Sequence, residues 1–376
     1  MKKMRDKNKF RGCIIGGAAG DALGYAVEFM SADSIFEKYG NKGIVQYELR
    51  NGIAEISDDT QMSMFTAVGL LIGKTRGMTR GICGSPEMYM HFTYTDWYKT
   101  QTLNYPLSLN ESRSWLTNDK RLFHRRAPGN TCLNAIANGC NGTIEEPLNQ
   151  SKGCGGIMRV APIGIYFTDR KDIVDTVDLI GAKAAALTHG HELGYIPSAA
   201  LVHLIFLLSS NPDITVKSAV KQSMAAMKKL FPKAEHLYEM INLVEKALKL
   251  AEDNIDDLAA ISQLGGGWVA EETLAIAVYC SVKYSEDFDK ALIVSVNHDG
   301  DSDSTGAVTG NILGTYLGYD KIPDKYKDHL ELSDILLELS DDLCNDCKIS
   351  EYSSYRDDMW SAKYIYGNYC NRGDSD

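Results

Sequence analysis

The sequence predicts an all-α protein on three observations. Six segments, Ile173–Leu187, Pro197–Ser209, Thr215–Leu230, His236–Ala251, Glu271–Val282 and Ser333–Leu343, carry apolar residues at three- and four-residue spacing. That is the pattern of helices with one buried face. Strand-like runs are few, with Val160–Phe167 and Ala291–Val296 the best of them. Gly306, Gly310 and Gly314 stand four apart in a helical stretch and so share one face. Glycine costs about 1 kcal/mol per interior helix position relative to alanine. A face so bare serves the close approach of a second backbone.

The chain opens with six basic residues, Lys2, Lys3, Arg5, Lys7, Lys9 and Arg11, ahead of Cys13-Ile14-Ile15. This imitates the start of a secretory signal, but the apolar stretch is short, glycine-rich and broken by Asp21. The stretch itself reads as a tightly packed helix with small residues at Gly16, Gly17, Ala18, Ala19, Gly20, Ala22 and Gly24. It is no dinucleotide fingerprint, because Ile15 takes the place of the first required glycine. No apolar run approaches the roughly 20 residues of a membrane span.

Over 376 residues, 44% are hydrophobic, enough for a substantial core, and the net charge is −11. With a pI near 5.3 and no long basic run after Arg11, no nucleic-acid-binding surface is expected. Nine scattered cysteines without framework spacing suit reduced thiols in a cytoplasm.

The chemistry concentrates in two acidic stretches. In the late one, Asp299, Asp301 and Asp303 alternate with hydroxyls just before the glycine-faced helix. One carboxylate at a helix N-terminus is a cap. Three so close together repel unless a cation holds them. An EF-hand loop fails, because Ser304 and Gly310 stand where it needs Gly and Glu. Asp301, Asp303 and Thr305 match the D-x-D-x-T nucleophile of aspartyl-phosphate phosphatases, yet that motif belongs straight after a buried strand near a chain start. The third reading is half of a metal site. Its other half is Ser57-Asp58-Asp59-Thr60, again a hydroxyl and two acids opening a helix, with Met64, Phe65, Val68, Leu71 and Ile72 behind. Each stretch alone is explained by capping. Docked head to head they supply enough oxygen ligands for two Mg²⁺ ions, with Mn²⁺ the alternative.

These stretches and four others resemble, in order, the motifs of the ADP-ribosylglycohydrolases, the group that includes ADP-ribosyl-arginine hydrolase and the dinitrogenase reductase-activating glycohydrolase. The others are Gly17–Gly24 with Glu28; Arg126-Ala127-Pro128-Gly129-Asn130-Thr131; Ser151-Lys152-Gly153-Cys154-Gly155-Gly156-Ile157-Met158-Arg159; and Thr188-His189. The likeness runs from about Arg11 to about Leu343. It implies a compact orthogonal multi-helix fold with a binuclear metal cleft at helix N-termini. It implies metal ligands Ser57, Asp58, Asp59, Asp301, Asp303 and Ser304, with Glu28 reaching toward the ions. Asp58, Asp59 and Glu28 are then the catalytic candidates, and which carboxylate is the base stays open. Substrate contacts carried over are Gly129, Asn130, Thr131, Ser151, Gly153, Gly155, Gly156 and His189. The glycine loop would grip the diphosphate of ADP-ribose, as freed backbone N–H groups cradle phosphate oxygens.

The implied reaction is Mg²⁺-dependent hydrolysis of the bond joining ADP-ribose to an acceptor on a protein or small molecule. Ser304 and the overall likeness favour arginine-linked, N-glycosidic substrates. Serine-linked ADP-ribose and O-acetyl-ADP-ribose are the nearest alternatives, followed by a catalytically silent binding or structural relative. A monomer is expected.

By their own sequence context several residues have plainer roles. Asn130 reads as an N-cap, and Arg159 as half of an ion pair with a nearby acid. His191 and His298 belong to no recognisable zinc signature. Trp268, after Gly265-Gly266-Gly267, lines either the cleft or the core. Residues 1–343 are expected to form the catalytic domain and 344–376 a tail. Its aromatics Tyr352, Tyr355, Trp360, Tyr364, Tyr366 and Tyr369 are expected to pack back onto the body.

Overall fold

In the computed structural model, which describes residues 5–108 and 111–370, the opening helix Lys7–Tyr25 lies antiparallel against the late helix Ser302–Leu317. Glycines make this pairing. A Cβ on Gly12, Gly16 or Gly20 would overlap the carbonyl oxygen of Gly314, Gly310 or Gly306 respectively. One on Gly24 would overlap that of Ser302. Both small-residue faces foreseen in the sequence are therefore the two sides of one seam. Asn311 locks it by donating from Nδ2 to the Cys13 carbonyl at 2.8 Å.

Around this pair the described residues form sixteen α-helices and no strand, with three isolated bridges. The predicted helices appear as Val174–Ala186, Glu192–Ser210, Val216–Leu230, Leu237–Leu250, Ala270–Lys283 and Ser333–Asn345. Thr215 caps its helix, accepting from the Ser218 N–H.

Both strand-like runs are corrected: Ala161–Tyr166 and Phe288–Val296 are helices. Ala161–Tyr166 is buried on all sides, and the run Ala291–Val296 is buried except at the half-buried Ile293, so these short apolar runs carry no periodicity to separate helix from strand. Pro162 at the start of the first fits a helix opening.

The helix expected to start at Pro197 starts at Glu192, with His191 as its cap and Pro197 inside it. At 19 residues and a mean hydropathy of 1.6 it is long and apolar enough to cross a membrane, against the expectation from sequence. Its apolar character answers to the protein core, since 89% of that window is buried in the fold.

The C-terminal segment docks on the body. Trp360 and Tyr364 join the core, and Trp360 Nε1 donates to Thr75 Oγ1 at 2.9 Å. Lys363 is buried between Asp342 and Glu338 at 2.6 and 2.7 Å. Tyr369 meets Trp115 edge to face. Tyr352, Tyr355 and Tyr366 instead stay exposed.

Candidate active site

The seam fixes which ends meet. Three residues past the opening helix, Glu28 is carried to the start of the late helix. There one carboxylate oxygen each from Glu28, Asp301 and Asp303 lies within 4.8 Å of the others. One turn back, the buried Asp21 accepts from the N–H groups of Ser57 at 2.9 Å and Thr60 at 3.1 Å. Asp21 thereby ties the start of helix Asp58–Arg80 to the same place. Gly129 N–H donates to Asp58 Oδ2 at 3.2 Å, and Asp58 N–H to the Arg126 carbonyl at 3.0 Å. Arg126 is held in turn by Glu55 and Glu331.

The result is one cavity of about 410 Å³. Asp58, Asp59, Asp301, Asp303, Ser304 and Glu28 line it, as do Gly129, Asn130, Thr131, Gly153, Gly155 and His189. The two acidic stretches, roughly 240 residues apart in sequence, face one space. Three sequence candidates stand one layer back. Ser57 is the N-cap of its helix, accepting from Asp59 N–H. Ser151 Oγ reaches Thr131 Oγ1 at 3.3 Å. Gly156 packs against Gly194 and Ala185. Asp299 turns away and accepts from Ala32 N–H at 2.8 Å.

The electrostatics are those of crowded, buried carboxylates. Burial, then Asp303, then Asp58 push Glu28 up to about 10. Burial and Asp303 push Asp21 up to about 7. Burial first and Asp303 second also raise Asp58, Asp59 and Asp301. Among the described residues no cation pairs with Glu28, Asp58, Asp59, Asp301 or Asp303. Glu28 Oε2 and Asp59 Oδ2 are buried with no hydrogen-bond partner. Such groups are costly unless something compensates them. A hard divalent ion, which takes carboxylate and hydroxyl oxygens, fits this donor set.

Behind the glycine loop, His189 Nδ1 lies 2.8 Å from Thr188 Oγ1. Burial and the nearby Arg159 push its pKa down to about 3, so the ring stays neutral. Its Nε2 edge faces Gly153 and Gly155.

Arg159 corrects the expectation of an ion pair. Its Nη2 donates to Thr188 Oγ1 at 2.7 Å and to the Ala184 carbonyl at 3.0 Å. Its guanidinium lies 4.4 Å over the Tyr94 ring. This fully buried arginine is held by carbonyl, hydroxyl and aromatic partners in place of an acid, with its Nε left without a hydrogen-bond partner. Asn130 is likewise no cap: Gly129 occupies the N-cap position and Asn130 is the first helical residue.

Sequence reasoning missed three residues here. Asp21 had a signal, a lone carboxylate in a small-residue helix. Phe29, beside Glu28, and the Cys154 thiol, 2.7 Å from Asp301 Oδ2, had none.

An all-helical body in which two acid-loaded helix starts meet beside a glycine loop frames one acidic cleft whose carboxylates could hold a metal ion. Comparison with known proteins gives the family. Residues 2–351 match the ADP-ribosylglycohydrolase family, and the chain belongs to it. A protein of Archaeoglobus fulgidus, described only as uncharacterized, is 26% identical over 89% of this chain and 95% of its own. The Rhodospirillum rubrum ADP-ribosyl-[dinitrogen reductase] glycohydrolase is 24% identical over 85% of this chain and 90% of its own. Human ADP-ribosylhydrolase ARH3 is 28% identical over 48% of this chain and 54% of its own. A solved "ADP-ribosylglycohydrolase-related protein complex" superposes with a TM-score of 0.60 at 20% identity, covering 90% of this chain and 98% of that one. That likeness shows the shared fold. The chain is thus an ADP-ribosylglycohydrolase-family hydrolase.

Proposed function

We propose that this protein is a Mg²⁺-dependent hydrolase that removes ADP-ribose from an arginine-linked acceptor. The observation that carries the reading is the convergence of Glu28, Asp301 and Asp303 on the wall that also bears Asp58 and Asp59. Asp58, Asp59, Asp301, Asp303 and Ser304 would hold two ions, with Ser57 behind them and Glu28 at their edge. When bound, the ions neutralise the carboxylates, orient ribose hydroxyls and lower the pKa of water.

The chain's own groups supply the rest. Glycosidic cleavage develops positive charge on the sugar ring, and a wall of carboxylates stabilises that charge. Asp58, whose Oδ2 accepts from the Gly129 N–H, or its neighbour Asp59 would accept a proton from the attacking water. Gly153 and Gly155 sit at the opening of the turn Cys154–Arg159, where backbone N–H groups would meet the diphosphate. Neutral His189, fixed by Thr188, adds a polar edge to that loop without a charge. Holding the diphosphate there positions C1″ against the acids.

The test is turnover of arginine-, serine- and acetyl-linked ADP-ribose, with Mg²⁺ and with a chelator. Release chiefly from the arginine linkage, lost on chelation, is expected. Undiminished turnover in chelator, or none of any substrate in Mg²⁺, overturns the reading.

A further inference from the structure

At the cavity mouth, Phe29 and Trp268 stack with ring centroids 6.0 Å apart and planes 22° from parallel. Both rings line the same cavity as the acids, yet Phe29 is 74% and Trp268 46% exposed. The other three tryptophans, Trp97, Trp115 and Trp360, are buried. Two large rings left in water against each other, over a carboxylate cluster, contribute little to the core.

We propose that Phe29 and Trp268 form a clamp for the planar cation of the acceptor, the guanidinium of an arginine side chain, and so select the linkage. The inference rests on the proposed glycosidic hydrolysis.

The geometry supports an opening clamp with one fixed jaw. The Trp268 carbonyl accepts from Cys154 N–H at 3.2 Å, and Ala270 N–H donates to the Lys152 carbonyl at 2.9 Å. Val269 between them bridges to Gly153. The tryptophan backbone is therefore tied to the glycine loop. Phe29 sits in the turn after the opening helix with its own side chain 74% exposed, and exposed side chains change rotamer fast. Stacked planes in contact lie about 3.5 Å apart, so a flat group sandwiched between two rings needs about 7 Å. With ring centroids 6.0 Å apart, the rings must part for a flat group to enter, and Phe29 is the jaw that moves.

The chemistry selects the occupant. Aromatic faces carry negative potential, tryptophan most of all. Glu28, Asp301 and Asp303 line the same cavity as the two rings. A cation is attracted by both ring faces, an electrostatic gain that the neutral adenine ring forgoes. Guanidinium is flat and stacks on aromatic rings, which a tetrahedral ammonium cannot do.

Two measurements test this. In the first, tryptophan fluorescence of the full chain is followed while agmatine, a guanidinium, or cadaverine, an ammonium of similar length, is added. Agmatine should give a saturable change that W268F abolishes and F29A weakens about tenfold, and cadaverine should give none. In the second, kcat/KM is compared for arginine- and serine-linked ADP-ribose. F29A and W268A should lower the arginine-to-serine ratio about tenfold, with recovery in F29Y and W268F and an unmoved Kd for free ADP-ribose. Equal losses on both substrates, or weakened ADP-ribose binding, would overturn the clamp, the latter by assigning the rings to the nucleobase. Wild-type protein that turns over neither substrate would count against the hydrolase reading alone, and the agmatine titration still decides the clamp.

Discussion

Gly20 and Gly306 meet backbone to backbone, with each Cβ position filled by the other residue's carbonyl group. This contact sets the distance between the helix that ends before Glu28 and the helix that begins at Asp301. Gly20→Ala and Gly310→Ala are each expected to force the pair apart. Overpacking of this kind typically costs about 1–3 kcal/mol. Urea unfolding should show a lower midpoint, and Mg²⁺ affinity should fall in the same variants. A midpoint and affinity equal to wild type would mean that the seam adjusts and does not position the acids.

Asp21 is the hinge between the two acidic helix starts. Its carboxylate accepts two backbone N–H groups that have no other partner at that helix end. Asp21→Ala leaves both unsatisfied, at about 1–3 kcal/mol. Thermal unfolding should show the loss, and turnover should fall although Asp21 lines no part of the cavity. Wild-type stability in Asp21→Ala would reduce it to a bystander.

Stability of the metal-free protein should fall as pH rises. Glu28 is raised from 4.5 to about 10 and Asp21 from 3.8 to about 7. Between the unfolded and folded values, the folded protein holds protons that the unfolded chain has released. Stability therefore decreases with pH across that window. It is fullest below pH 3.8, is shed by Asp21 from 3.8 up to about 7, and is shed by Glu28 from 4.5 up to about 10. Melting with a chelator should give a lower Tm at pH 9 than at pH 6, and Mg²⁺ should restore more at pH 9. A chelated Tm that is flat or rising over that range would contradict the buried-acid account.

Arg159→Lys is not conservative here. A lysine cannot reach Thr188 and Ala184 together while lying flat on Tyr94. With Thr188 released, His189 loses the partner that orients its ring. Weaker ADP-ribose binding and a lower Tm are expected by calorimetry. Unchanged binding would remove His189's orientation from the account.

The sequence made the helices legible wherever one face met water, as in Val216–Leu230 and Leu237–Leu250, because there the apolar spacing is visible. It hid Ala161–Tyr166, whose burial on all sides erases the period, and Phe288–Val296, whose apolar run from Ala291 is short and almost wholly buried. The glycines announced a close approach, and only the structure paired Gly12, Gly16 and Gly20 with Gly314, Gly310 and Gly306. The acids were conspicuous because charge at a helix start stands out in a sequence. Phe29 and Asp21 were not, since a mouth-lining ring and a buried cross-chain cap take their meaning from what lies opposite. Arg159 misled for a related reason: an arginine suggests an acid partner, and its partners here are a backbone carbonyl, a hydroxyl and an aromatic face.

The central claim is that the Asp58 and Asp301 helix starts form one site. The direct measurement is turnover of ADP-ribosyl-arginine across a Mg²⁺ titration for wild type, Asp58→Asn, Asp301→Asn and the double variant. Asparagine caps a helix nearly as well as aspartate, so capping alone predicts mild effects. A shared site predicts that each single variant loses Mg²⁺-dependent turnover and that the double loses little more, because both disable one unit. Near-normal activity in either folded single variant would contradict the shared site and return both stretches to the role of helix caps.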